Sequence, residues 1–172
     1  YGSETGSGLD AWYAVRDKDF IFGQFIWTGT DYLGESGRWP SRGLYTGLLD
    51  FGSFPKPRGH FRASLWCENP VTYAGTYPVY VHPKHPEHVF LSLDAWDIWN
   101  YDEGQNIRVV CYTNAPQARL LLNGRVVGEM KPYDEKTGII YWDIPFRAGE
   151  LRAEGCDKEG NALSSYSIRT SG

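Results

Sequence analysis

The stretch Ala118-Arg119-Leu120-Leu121-Leu122-Asn123-Gly124-Arg125-Val126-Val127-Gly128-Glu129-Met130 decides the fold of the larger part of this chain. Two short apolar runs flank Asn-Gly, the dipeptide best suited to the positive φ angles of a two-residue hairpin turn. The reading is two antiparallel strands, 118–122 and 125–130, joined by that turn. Outward from the hairpin the same grammar repeats, with short alternating runs each closed by turn residues. Further strands are predicted at 89–93, 106–113, 138–144, 150–156 and 162–170, with Lys158-Glu159-Gly160-Asn161 as another turn. Strands this short and this regularly spaced predict an immunoglobulin-like antiparallel β-sandwich over residues 89–172.

Upstream the pattern changes. Residues 70–88 hold Pro70, Pro78, Pro83 and Pro86 and read as an extended connector. His82, His85 and His88 recur every third residue, a spacing that would make a metal face on a helix. Pro83 and Pro86 exclude that helix, so the histidines are read as surface groups on a linker and no metal site is expected. Before the connector, residues 10–16 read as a short helix that follows Gly6 and Gly8. Phe20-Ile21-Phe22-Gly23-Gln24-Phe25-Ile26-Trp27 is a nearly continuous apolar run, the mark of a strand buried on both faces of a parallel sheet. Residues 57–66 read as a second helix opened by Pro57, with Phe61, Leu65 and Trp66 on one face. Helix, buried strand, long loop and helix is the order of a (β/α)8 barrel. The expected organisation is a barrel end over 1–69, a linker over 70–88 and a sandwich over 89–172. The expected class is mainly β, a sandwich preceded by the last strand and helices of a truncated barrel.

Composition narrows the partners. The chain has 172 residues, a net charge of −4, and 7 Trp, 12 Tyr and 8 Phe, too much aromatic surface for a disordered segment. Without a basic cluster, nucleic acid is not an expected partner. No apolar run approaches the ~20 residues of a membrane helix. No secretory leader opens the chain, and Tyr1-Gly2-Ser3-Glu4 reads as the interior of a longer sequence. Cys67, Cys111 and Cys156 are too few and too scattered for a zinc site, and three buried thiols are expected. A Cys111–Cys156 bridge is the alternative.

Two stretches carry chemistry. Glu4 sits in Gly2-Ser3-Glu4-Thr5-Gly6-Ser7, where small residues let the backbone come close to a ligand. Trp27 ends the apolar run and is followed by the polar, Gly-rich segment Thr28-Gly29-Thr30-Asp31-Tyr32-Leu33-Gly34-Glu35. In a parallel barrel, residues at the carboxyl ends of strands line the active site, and a Trp there offers a flat face to a sugar ring. In the second half, Trp96, Trp99, Tyr101 and Tyr133 are read either as an exposed aromatic surface or as sandwich packing. Asp94, Asp97, Asp102 and Glu103 do not have calcium-loop spacing and read as a solvated acidic loop.

With these residues in view, the chain resembles family 2 glycoside hydrolases of the β-galactosidase type. Ser3-Glu4 and Phe25-Ile26-Trp27-Thr28-Gly29-Thr30-Asp31-Tyr32-Leu33-Gly34-Glu35 carry the likeness, which Gly47-Leu48-Leu49-Asp50-Phe51-Gly52-Ser53-Phe54-Pro55-Lys56 continues. Cys111-Tyr112-Thr113-Asn114, Leu121-Leu122-Asn123-Gly124 and Trp142-Asp143-Ile144-Pro145-Phe146 resemble the immunoglobulin-like domain that follows the barrel. The resemblance implies a retaining mechanism with paired carboxylates. It implies Glu4 as nucleophile at the end of the seventh barrel strand and Trp27 as a sugar platform at the end of the eighth. Asp31, Glu35 and Trp39 are implied as substrate-binding residues on the loop that follows. The family's acid/base glutamate lies on the fourth strand, upstream of Tyr1, so the chain is expected to be inactive alone. A β-galactoside-containing glycan is the implied substrate, no cofactor is expected, and family analogy favours a periplasmic or secreted location. The apolar run 20–27 is expected to collapse on the sandwich or to pair with a second copy. The alternative reading is a non-catalytic carbohydrate-binding or structural β-sandwich module.

Overall fold

A computed structural model describes residues 1–6 and 8–171; Ser7, the last residue of the stretch around Glu4, and Gly172 lie outside the described residues. The chain divides into two units, residues 1–62 and 63–172.

The first unit opens with β1 (Gly2–Thr5), α1 (Leu9–Arg16) and β2 (Gln24–Ile26). β1 and β2 pair in parallel, Gly2 opposite Gln24 and Thr5 opposite Ile26. Parallel neighbours need a crossover connection, and α1, one residue longer at its start than the sequence reading, lies in it. The strand expected over 20–27 is much shorter. Gly23 interrupts the run, the Ile21 N–H turns back to the Lys18 carbonyl at 2.9 Å, and only residues 24–26 pair. Phe20, Phe22 and Phe25 are 82%, 79% and 63% exposed, so the run is not buried on both faces as the sequence suggests. Next come β3 (Tyr32–Leu33) and β4 (Gly43–Leu44), an antiparallel pair. α2 (Pro57–Trp66) has the bounds its opening proline predicts, with Phe61 buried, Leu65 half-buried and Trp66 exposed.

The second unit contains β5 (Thr72–Pro78), β6 (Asn106–Thr113), β7 (Gln117–Leu122), β8 (Arg125–Val126), β9 (Lys131–Pro132), β10 (Ile140–Pro145), β11 (Glu150–Cys156) and β12 (Ala162–Arg169). They form two open antiparallel sheets, one ordered β10-β6-β5 and one ordered β12-β11-β7-β8, with β9 also pairing β7. Alternation builds a common core between them: Ile107, Val109 and Cys111 of β6, and Ile140, Trp142 and Ile144 of β10, meet Ala118, Leu120 and Leu122 of β7 and Leu151 of β11. Asn123 and Gly124 have φ of 51° and 75°, the two left-handed conformations of a type I′ turn, so the turn forms where the sequence puts it, although the strand after it stops at Val126 rather than running to 130.

Two stretches beside β6 differ from the sequence reading. Residues 72–78, assigned to the connector, are a strand paired with β6 over its length. Residues 89–93 are not a strand but an irregular strap against β6. The non-core face of β6 carries Arg108 and Tyr112, whose polar tips need acceptors: Arg108 donates to the Phe90 carbonyl at 2.9 Å and Tyr112 to the Ser92 carbonyl at 2.8 Å. A strap with free carbonyls meets that need, and a strand whose carbonyls are committed to a ladder would not. Arg108 is further clamped by Asp143 through two bonds of 2.7 Å. The cysteines also differ from expectation: Cys111 and Cys156 are buried free thiols with no bridge between them, and Cys67 is exposed. Burial pushes the Cys111 thiol up to about 12, and neighbouring Cys156 adds to it.

Candidate active site at the ends of two parallel strands

The carboxyl ends of β1 and β2 are tied at one level. The Trp27 N–H donates to the Thr5 carbonyl at 3.1 Å, Thr5 Oγ1 donates to the Phe25 carbonyl at 3.2 Å, and Gln24 Nε2 donates to Thr5 Oγ1 at 2.9 Å. Glu4, the penultimate residue of β1, and Trp27, the first residue after β2, are thereby set on neighbouring strands, both exposed. The peptide that follows Trp27 is cis.

Two further residues of the loop join them. The Trp27 and Tyr32 rings meet edge to face, centroids 6.1 Å apart at 88°. The Tyr32 hydroxyl donates to a Glu35 carboxylate oxygen. Glu35 reaches it from a left-handed backbone conformation, φ 44°, directly after Gly34. The Tyr32 phenol is held above its ordinary range, first by its bond to Glu35, then by desolvation and by the negative charges of Glu35 and Glu4. Trp27, Tyr32 and Glu35 are therefore linked by contact, an exposed indole beside a phenol that donates to a carboxylate, and the charge of Glu4 on the neighbouring strand is felt at that phenol. Tyr32 escaped the sequence reading, although it lies within the quoted motif. An Asp-Tyr dipeptide does not say which of its two side chains turns outward.

Asp31 has the opposite fate. Its carboxylate is buried, its side chain only 4% exposed, and it binds Lys56 Nζ through both oxygens at 3.0 and 3.1 Å. It also accepts the Gly47 N–H at 2.8 Å. Lys56 donates in addition to the Tyr45 carbonyl at 2.8 Å. Asp31 is thus the anchor of the loop, and its oxygens are committed to the protein rather than open to a sugar. Trp39 stands 78% exposed on the same loop, with the Arg42 guanidinium 5.4 Å from its ring centroid.

In the second unit the aromatic surface does not assemble. Trp99 is buried, donates through Nε1 to the Arg147 carbonyl at 3.1 Å, and packs edge to face on Phe146 and Tyr101. Trp96 remains exposed. In the acidic loop, Asp97 accepts the Tyr166 hydroxyl at 2.8 Å. Among the described residues, His85, Glu87 and His88 are the group whose ligand atoms converge, at the exposed surface where the sequence reading places these histidines.

Residues 104–164 match a family described as a domain of unknown function, DUF4982. The chain is 31% identical over 161 residues to a β-galactosidase of Bacteroides ovatus, covering 92% of this chain and 16% of that protein. It is 30% identical over 154 residues to a Formosa agariphila protein named for β-glucuronidase, covering 84% of this chain and 13% of that one. A solved glycosyl hydrolase family 2 member from Bacteroides cellulosilyticus superposes with a TM-score of 0.81 at 27% identity, over 98% of this chain and 24% of that one. The chain thus spans about a sixth or less of the length of these curated relatives. The matches agree with the resemblance carried by the residues around Glu4 and Trp27: the chain belongs to family 2 of the glycoside hydrolases.

Proposed function

We propose that the chain is the part of a retaining β-galactoside hydrolase that carries its nucleophile, Glu4. The observation that carries this reading is the position of Glu4 and Trp27 at the carboxyl ends of neighbouring parallel strands, where barrel enzymes keep their active sites. Residues 1–69 are then the end of the catalytic barrel. The two-sheet unit is an immunoglobulin-like domain that draws its first strand from residues 70–88.

In this mechanism Glu4 attacks the anomeric carbon and forms a glycosyl-enzyme ester that water later cleaves. Trp27 stacks on the ring of the departing-group-bearing sugar. Glu35 is held by Tyr32 and contributes to the same wall. A second carboxylic acid about 5–5.5 Å from Glu4 protonates the leaving oxygen, and it belongs to residues outside this chain. One carboxylate cannot attack and protonate in the same step, so the chain alone is inactive. The galactoside preference follows the β-galactosidase name of the Bacteroides ovatus relative, with a β-glucuronide as the competing substrate.

The test is turnover of chromogenic β-galactoside and β-glucuronide. This chain and its Glu4→Gln variant should both be silent. A longer protein that includes this chain should prefer the galactoside and lose about 10⁴-fold or more in kcat on Glu4→Gln. Turnover by the chain itself that Glu4→Gln abolishes would overturn the incomplete site. Undiminished turnover by the longer Glu4→Gln protein would overturn the nucleophile.

A further inference from the structure

The segment His82-Pro83-Lys84-His85-Pro86-Glu87-His88 has a three-residue period, and the structure turns that period into geometry. The His85 N–H donates to the His82 carbonyl at 3.3 Å and the His88 N–H to the His85 carbonyl at 3.1 Å. These are successive turns, each with proline in its second position, where a fixed φ near −65° is favourable and the missing N–H is not needed. Proline excludes an α-helix here but favours this chain of turns. A repeat of three residues brings every third side chain into line. The rings of His82 and His85 stack at 5.3 Å, and those of His85 and His88 at 5.1 Å.

Glu87 completes the group. One of its oxygens, Oε1, lies 3.3 Å from His85 Nδ1 and 3.8 Å from His88 Nε2. The three ligand atoms all fall within 4.8 Å of one another. Two ligands on one tetrahedral zinc, each bound at ~2.0–2.1 Å, stand roughly 3.3 Å apart, so only small side-chain adjustments separate this arrangement from a coordinating one. We propose that His85, Glu87 and His88 form a surface binding site for a zinc-like divalent transition metal. Two imidazole nitrogens and one carboxylate oxygen suit zinc, copper or nickel, whereas magnesium and calcium require oxygen donors. A pocket of about 390 Å³ lined by Tyr80, His82, His88, Val89 and Phe90 lies beside the group and has room for the water that fills the remaining position.

His82 has a different part. Its Nδ1 accepts the backbone N–H groups of Lys84 and His85 at 3.2 and 3.1 Å, so its ring braces the first turn. It is a positioning residue for the site.

Zinc titration of the untagged chain, followed by calorimetry and by competition with a chromogenic indicator, tests this. One zinc per chain is expected, with magnesium unable to compete. The His85→Ala/His88→Ala double variant should lose more than the 10–100-fold that changes behind a metal's ligands cost. Its far-UV circular dichroism should match the parent, because both residues are exposed. His82→Ala should weaken zinc binding, and His82→Asn, whose amide oxygen can accept the same two N–H groups, should restore it. X-ray absorption should report nitrogen and oxygen neighbours without sulfur. Zinc binding that survives the double variant, that disappears instead in Cys67→Ser, or that is absent from the parent chain would overturn the site.

Discussion

Asp31 and Lys56 stand 25 residues apart and meet in a site where their side chains are 4% and 11% exposed. Removing one partner of such a pair leaves the other charged and without compensation in low dielectric, at a cost of about 3–5 kcal/mol. Lys56→Met is therefore expected to lower the unfolding free energy of the first unit by about that amount, read from urea denaturation monitored by proteolysis within residues 1–62. The double change Asp31→Leu/Lys56→Met should recover much of the loss, since two apolar groups leave no buried charge. This pair also marks where sequence reading of the site stops. Spacing brings Asp31 into a motif with Trp27 and Glu35, and all three read alike as substrate-binding. Only the fold reveals that Lys56 and Gly47 claim the Asp31 carboxylate while Glu35 is left to Tyr32. Glu4 and Trp27 stand out in the sequence through local context, small residues around one and the end of an apolar run at the other, while their roles rest on the resemblance alone.

Elements divide in the same way. The β7–β8 turn, α2 and β11 were readable because each is set by residues inside it: Asn123-Gly124, Pro57, and a bounded run of alternating residues. Gly124, at φ 75°, is the position where that local determinism can be tested. Gly124→Ala places a Cβ on a left-handed residue and should cost about 1–2 kcal/mol, visible as a lower urea midpoint with unchanged m-value. The strand β5 and the strap over β6 were hidden because neither has a periodic pattern of its own. Their conformations answer to Arg108, Tyr112 and the exposed ladder of β6, all set by the tertiary fold. Pro83 and Pro86 bar a helix, as the sequence indicates, and the same fixed φ suits each to the second position of a turn, which spacing alone does not reveal.

For the molecule as a whole, the distribution of buried phenols gives a pH signature. Burial holds the Tyr73 and Tyr112 hydroxyls far above the ordinary phenol range, and Tyr166 is pushed up to about 12 by burial and by its bond to Asp97. Each of these groups keeps its proton in the fold at a pH where the unfolded chain releases it. Their contribution is fully present below the unfolded value near 10 and is lost as pH rises towards the folded values. The second unit should therefore lose stability progressively above pH ~10, and Tyr73→Phe should flatten that slope even as it removes the bond to the Ala95 carbonyl. Denaturant titrations at stepped alkaline pH measure both.

The strap that crosses β6 continues to the open side of β5. The Thr76 N–H donates to the Trp96 carbonyl at 2.8 Å, Thr76 Oγ1 donates to the Ile98 carbonyl, and a Cβ placed on Gly75 would stand 2.0 Å from the Ala95 oxygen. β5 is the last strand of its sheet, and an uncovered last strand is a template on which another chain can add itself. Gly75 keeps that side thin enough for the strap to lie flush. The absence of a side chain at one residue thus guards this edge against fibre-like growth, a safeguard that neither sheet core nor sugar chemistry would supply.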